Sequence, residues 1–187
     1  MLSSIVKSQL SASHKRLFSS SSTLLYPIQS KLSQRYANVH VHENNNKYAI
    51  SYASNDNSIK DHPELIIGWT PDKDSVDPRT FIENTQFIQF LTDTLKENIH
   101  KLNDPNLKAL ADWQKEGWLH VGDERNPPPW GRINTPEDII GSVELKDGKI
   151  KPHTYQPMPA HRMVTNDGLF QLSDTLAKCI IDASNVK

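Results

Sequence analysis

Between Gly117 and Ile133 the chain reads GWLHVGDERNPPPWGRI, which places Asp123, Glu124, Arg125, Trp130 and Arg132 around three consecutive prolines. Carboxylates beside arginines and an indole offer more than one chemistry. A guanidinium grips a carboxylate or phosphate through paired N–H donors, and a tryptophan covers a ring or an acyl group. A carboxylate nearby serves as general base when burial raises its pKa. Asp123 and Glu124 are therefore the candidate catalytic residues of an enzyme or binder for an anionic ligand, with Arg132 as clamp and Trp130 as lid. The prolines force an extended, stiff segment that loses little entropy on ordering. Such stiffness suits docking equally well, with Trp130 as anchor and Arg125 and Arg132 pairing acidic groups on a partner protein. A purely structural reading stands beside both: an acid pairs with an arginine, the indole fills a notch and the prolines turn a corner.

Other candidates are more scattered. Tyr155, His161 and Arg162, in HTYQPMPAHRMVTNDG, would join the proline loop in one pocket if the last hairpin packed beside it. There they would polarise a carbonyl or hold a phosphate, although cross-strand polar pairing explains the same residues. His40 and His42 alternate in a strand-like run, so both imidazoles share a face, as strand metal ligands do. A third ligand would have to come from His62, His120, His153, His161 or a carboxylate, none at diagnostic spacing, and solvated strand histidines fit better. The single cysteine, Cys179, lies beside the apolar face of a helix and reads as a core or boundary residue. Alone, it excludes an internal disulfide. No phosphate-binding glycine loop, dinucleotide fingerprint, nucleophile elbow, zinc-protease helix or paired-cysteine motif occurs, and no cofactor is implied.

The elements that must hold these residues follow from periodicity. YANVHVH and KYAISYA flank the turn cluster ENNN, predicting a hairpin over 36–53. SNDNSIKDHP reads as a polar loop and ELIIGW as a third strand. Asp77 and Pro78 form a helix-start signature. Phe81, Ile88, Leu91, Leu95, Ile99 and Leu102 continue it as an apolar stripe. Asp104 and Pro105 start a second helix, with Leu107, Leu110 and Ala111 inward and Gly117 as its cap; the short joint predicts an antiparallel helix pair. WLHV is a short strand, and Thr135–Asp138 about one helical turn. SVELKDGKIK is a hairpin with an Asp-Gly turn, and HRMVTNDGLFQL is a second. Ser173 caps a last helix whose inner face is Leu176, Ala177, Ile180 and Ile181. The fold class is α+β: antiparallel strands and hairpins packed by two or three helices on one side.

The N-terminal stretch carries an address. It holds Lys7, Lys15, Arg16, Lys31 and Arg35, many serines, and no acid before Glu43. With Leu2, Ile5, Val6 and Leu10 it forms a basic amphipathic segment without the unbroken apolar run of a secretory signal, the composition of a mitochondrial transit peptide. RLFSSSS suits a cut near 17/18, or near 25/26 after a further trim. The expected organisation is a transit peptide over 1–25, a linker over 26–35 and a single α+β domain over 36–187. Removing residues 1–17 takes three of the 21 basic residues and none of the 22 acids, leaving the remainder at −4. Nucleic acid is thus not an expected partner, since binding it needs a basic face. No apolar run reaches the ~18 residues of a membrane span.

GWLHVGDERNPPPWGRI, PEDIIGSVELKDGKI and TYQPMPAHRMVTNDGLFQL together resemble a group of small fungal, nuclear-encoded mitochondrial proteins, over roughly residues 60–175. The resemblance implies a mitochondrial location, in the matrix or on the matrix face of the inner membrane, and brings no reaction, cofactor or catalytic residue. The leading expectation is a non-enzymatic accessory or assembly protein of a mitochondrial complex, docking on a mitochondrial protein partner through the loop at 122–133. The alternative is the anionic-ligand binder or enzyme described above.

Overall fold

The fold is that of a computed structural model, which describes residues 29–127 and 135–185. The first described helix lies inside the segment expected to be a linker. Ser30 and Ser33 form a reciprocal capping box for helix α1 (Lys31–Arg35), and Leu32 enters the core at 3% exposure. Tyr36 is buried behind it, its hydroxyl accepting from the Leu169 N–H at 3.1 Å.

Strands β1 (His40–Asn44) and β2 (Lys47–Ser51) form the expected hairpin. Asn45 and Asn46 take φ of 43° and 63°, the left-handed pair that a two-residue turn needs and asparagine tolerates. The polar stretch after it is a helix, α2 (Asp56–Asp61), capped by the Asn55 side chain. Ile59 is its one buried residue, too little apolar pattern for a helical period to be read. A 3-10 turn at Pro63–Leu65 leads into β3 (Ile66–Thr70), antiparallel to β2.

The next helix starts later than its signature. Asp77 does make a turn, its carbonyl accepting from the Thr80 and Phe81 N–H groups, but the chain then pairs with β3 as β4 (Ile82–Glu83). Asn84 restarts it: the side-chain oxygen caps α3 (Thr85–Asn98), and its amide donates to the Pro63 and Ile66 carbonyls at 2.8 and 2.7 Å. Helix α4 (Pro105–Gln114) starts where expected, with Asp104 accepting from the Leu107 N–H at 2.9 Å. Lys115 at φ 65° ends it, and Gly117 opens β5 (Gly117–Gly122) instead of capping the helix. Strands β6 (Ile139–Lys146) and β7 (Lys149–Ile150) close on Asp147 and Gly148, both at positive φ, and β8 (Gln156–Pro157) also pairs with β6. A small hairpin, β9 (Val164–Thr165) and β10 (Gly168–Leu169), precedes α5 (Asp174–Asn185).

Among the described residues one sheet runs β1-β2-β3-β4, a second runs β5-β6-β7 with β8 on β6, and β9 and β10 pair apart; every pairing is antiparallel, and with five helices this is an α+β fold. Helix α3 packs against the Pro63–Leu65 turn and α5, while α4 lies against β5 and β7, so α3 and α4 do not pack as the expected antiparallel pair. One core joins Val41, Ile50 and Ile67 of the first sheet, Phe87 and Leu95 of α3, Ile180 of α5, and Val143 and Leu145 of the second sheet. No described helix is long and apolar enough to cross a membrane.

Candidate functional site

The acids and arginine that open the proline loop turn inward. The Arg125 and Asp123 side chains are 0% exposed and Asp138 7%, with the Arg125 Nε 3.0 Å from Asp138 and 3.4 Å from Asp123. The guanidinium also donates to the Glu137 carbonyl at 2.9 Å and the Gly168 carbonyl at 3.5 Å. Asp123 accepts from the Arg125 N–H at 3.0 Å and the Gln171 N–H at 2.9 Å, and its second oxygen lies 3.0 Å from His161 Nε2. Thr135 donates to Asp138 at 2.6 Å. Burial pushes the Asp138 carboxyl up, but the Thr135 hydroxyl and the Arg125 guanidinium outweigh it and hold the group below its ordinary value. The structural reading of the sequence is thus what Asp123 and Arg125 adopt: a buried, hydrogen-bonded ion network, with no face of Arg125 turned to a partner.

The remaining candidates separate. His161 belongs to this network and meets Phe170 edge-on at 6.0 Å. Tyr155 is 3% exposed, donates to the Ile140 carbonyl at 3.2 Å, and burial raises its phenol well above the ordinary value. Arg162 is exposed on the rim of an open polar cleft of about 570 Å³ that also holds Glu83, Glu137, Asp138 and Asp167. Trp130 and Arg132 lie outside the described residues. His42 is buried, with Nδ1 on the Asp56 carboxylate and Nε2 2.9 Å from the Ala53 carbonyl, so both ring nitrogens are occupied. His40 is half-buried, its pKa lowered by burial and then by His42. Among the described residues no group of three potential ligands is placed to hold a metal ion, so the strand pair finds no third partner. Cys179 is half-buried, and burial followed by the nearby Asp182 pushes its thiol up, away from the reactive thiolate.

A different surface stands out beside the loop. Between α4 and β5 runs a groove of about 280 Å³. Leu107, Leu110, Leu119 and Val121 make its apolar wall; Trp113 and Trp118 flank one end, and Glu124 and Pro127 close the other with the start of α5. Trp113 is 69% exposed and Trp118 46%. The acids there differ in availability. Asp104 caps α4 and accepts from Ser173 at 2.5 Å, and Asp123 is held by Arg125. Glu124 is half-buried, and among the described residues its side chain meets the exposed Asn106 amide alone, at 3.4 Å. No lysine or arginine lines the groove among the described residues.

Of the groove's residues, Glu124 is one of the candidates read from the sequence, and Trp113 and Trp118 are not. Trp113 carried a usable signal, because in a helical projection it falls away from the Leu107–Ala111 stripe, and a large aromatic off the buried face calls for a reason. Trp118 gave less, since in a strand its exposure depends on what covers that side of the sheet. Taken together, fold and groove define an α+β domain that presents an open apolar cleft with an acidic end. Searched against protein-family models, curated proteins and solved structures, the chain has no significant match in any of the three.

Proposed function

We propose that this protein is a non-enzymatic accessory component of a mitochondrial assembly, and that it engages a partner protein through the groove between α4 and β5. The observation that carries this reading is the pair of tryptophans, Trp113 and Trp118, left exposed at the mouth of an apolar cleft. Large exposed aromatics beside apolar walls mark interaction surfaces, and tryptophan is the residue most often found at their energetic centre. The docking site therefore shifts from the proline loop itself to the cleft beside it, with Glu124 and Pro127 common to both. The basic, acid-free leader supports the mitochondrial address. An anionic ligand draws less support, because Arg125 is consumed internally and Arg162 shares its cleft with four carboxylates.

Native size analysis of the full chain in gently solubilised mitochondria tests this, with wild type beside a Trp113→Ala/Trp118→Ala variant. The expected result is a large species for wild type and the free chain for the variant. If both migrate as the free chain, the accessory role fails; if both stay large, the groove is not where the partner binds.

A further inference from the structure

Strand β5 lies at the edge of its sheet. It pairs with β6 on one side, and among the described residues no strand pairs with the other. An edge strand presents unpaired N–H and C=O groups that template another chain. The register identifies them. Opposed residues in an antiparallel pair alternate between those that exchange both hydrogen bonds and those whose main-chain groups point away. The Trp118 carbonyl accepts from the Gln114 side chain at 2.9 Å, on the α4 side, so Trp118 opposite Glu144 is of the outward kind. His120 opposite Ser142, two residues on, is then outward as well. These groups open into the groove, which Trp118, His120 and Gly122 line alongside Leu119 and Val121. A helix, with its own backbone groups satisfied internally, leaves them unpaired; an extended chain pairs them.

We infer that the groove takes an extended segment of the partner, added as a strand to β5, with an apolar side chain between Trp113 and Trp118 and a lysine or arginine at Glu124. This rests on the docking role proposed above and specifies the chemistry of the partner. Charge complementarity sets the basic residue: among the described residues, Glu124 is the lining carboxylate not held by an internal cation or a helix cap, and no lysine or arginine lines the cleft to answer it. Spacing sets its position. At ~3.3 Å per residue β5 spans about 13 Å from Trp118 to its end at Gly122, and Glu124 stands in the turn two residues beyond. The basic residue therefore stands about six positions from the apolar anchor, where the added strand passes the end of β5. Gln114, half-buried and holding the Trp118 carbonyl in the free protein, is the group the incoming strand displaces. Main-chain pairing supplies affinity and the alternate side chains supply selectivity, as in other cases of strand addition.

The test is a random peptide library displayed on phage, selected on the full chain and counter-selected on the Trp113→Ala/Trp118→Ala variant. One enriched peptide is then synthesised unmodified, with either alternating set of its amides N-methylated, and with its basic residue changed to glutamate. The expected sequences alternate apolar residues and carry Lys or Arg about six positions from the anchor. One methylated set should weaken binding at least about tenfold while the other leaves it intact, a difference of about 1.4 kcal/mol. The glutamate peptide should lose affinity on wild type and lose none on Glu124→Gln. Enrichment of sequences with helical spacing, or equal effects of the two methylated sets, overturns strand addition and leaves the groove a docking site. Enrichment of acidic peptides, or a glutamate penalty that persists in Glu124→Gln, overturns the assigned charge. Absence of any enrichment dependent on the tryptophans overturns both this inference and the docking role.

Discussion

Replacing Arg125 with methionine removes the guanidinium and keeps most of the side-chain volume, so the variant isolates charge from packing. Its three ionic side chains are almost entirely withdrawn from water: Arg125 and Asp123 at 0% exposure and Asp138 at 7%. Solvent cannot screen the loss. Removing one member of a buried pair typically costs about 3–5 kcal/mol, since the partners stay buried and uncompensated. Two carbonyls, of Glu137 and Gly168, also lose donors. Against this, Asp123 keeps His161 and two backbone N–H groups, and Asp138 keeps Thr135. The net expectation is about 3–5 kcal/mol, a substantial part of the 5–15 kcal/mol that holds a typical domain together. At about 2–4 °C per kcal/mol for a chain of this size, the melting temperature falls by roughly 6–20 °C. Urea unfolding followed by tryptophan emission measures it, with Arg125→Met, Asp138→Asn and the double variant giving the coupling between the pair. Coupling of at least about 1 kcal/mol is expected. If Arg125→Met unfolds within about 1 kcal/mol of wild type, the buried network is not what holds the loop base, and Arg125 returns to the role of a partner-facing cation.

Two further outcomes follow from the same geometry. Asp138 in the fold sits below its ordinary carboxyl value, so the unfolded chain takes up the proton first. Its contribution is present above about pH 4 and is lost as pH falls through the folded value; the urea midpoint should drop as pH is lowered below about 4, and by less in Asp138→Asn. An equal acid slope in both proteins removes Asp138 as a source of acid lability. At the start of α3, Asn84→Ala loses a helix cap and two donors to buried carbonyls, for about 2–4 kcal/mol. Asn84→Asp keeps the capping oxygen and recovers only part of that in a thermal melt, and full recovery would show that the amide bonds to Pro63 and Ile66 contribute nothing.

Short-range chemistry was readable directly. The Asn45-Asn46 and Asp147-Gly148 turns, the Asp104-Pro105 helix start and the Ser173 cap each involve groups within four residues, and each stands where turn and cap preferences put it. The same kind of signal misled where a distant strand competed. Asp77 makes its turn, yet the pairing of Ile82 with Trp69 draws the chain into β4 before Asn84 begins the helix. Leu32 and Ile59 show the converse: one apolar residue in a polar stretch has no period to read, and its burial depends on what lies opposite. At the site, residue types alone could not decide between a clamp, a docking arginine and a buried ion pair for Arg125. Its partners lie 13 and 43 residues away, at Asp138 and Gly168, where tertiary packing alone brings them into reach. The open groove is likewise a property of neighbours. The sequence by itself determined that residues 118–121 form a strand and that Trp113 sits on a helix; only the fold determined that this strand has an edge uncovered among the described residues, because exposure is set by the elements that fail to pack there.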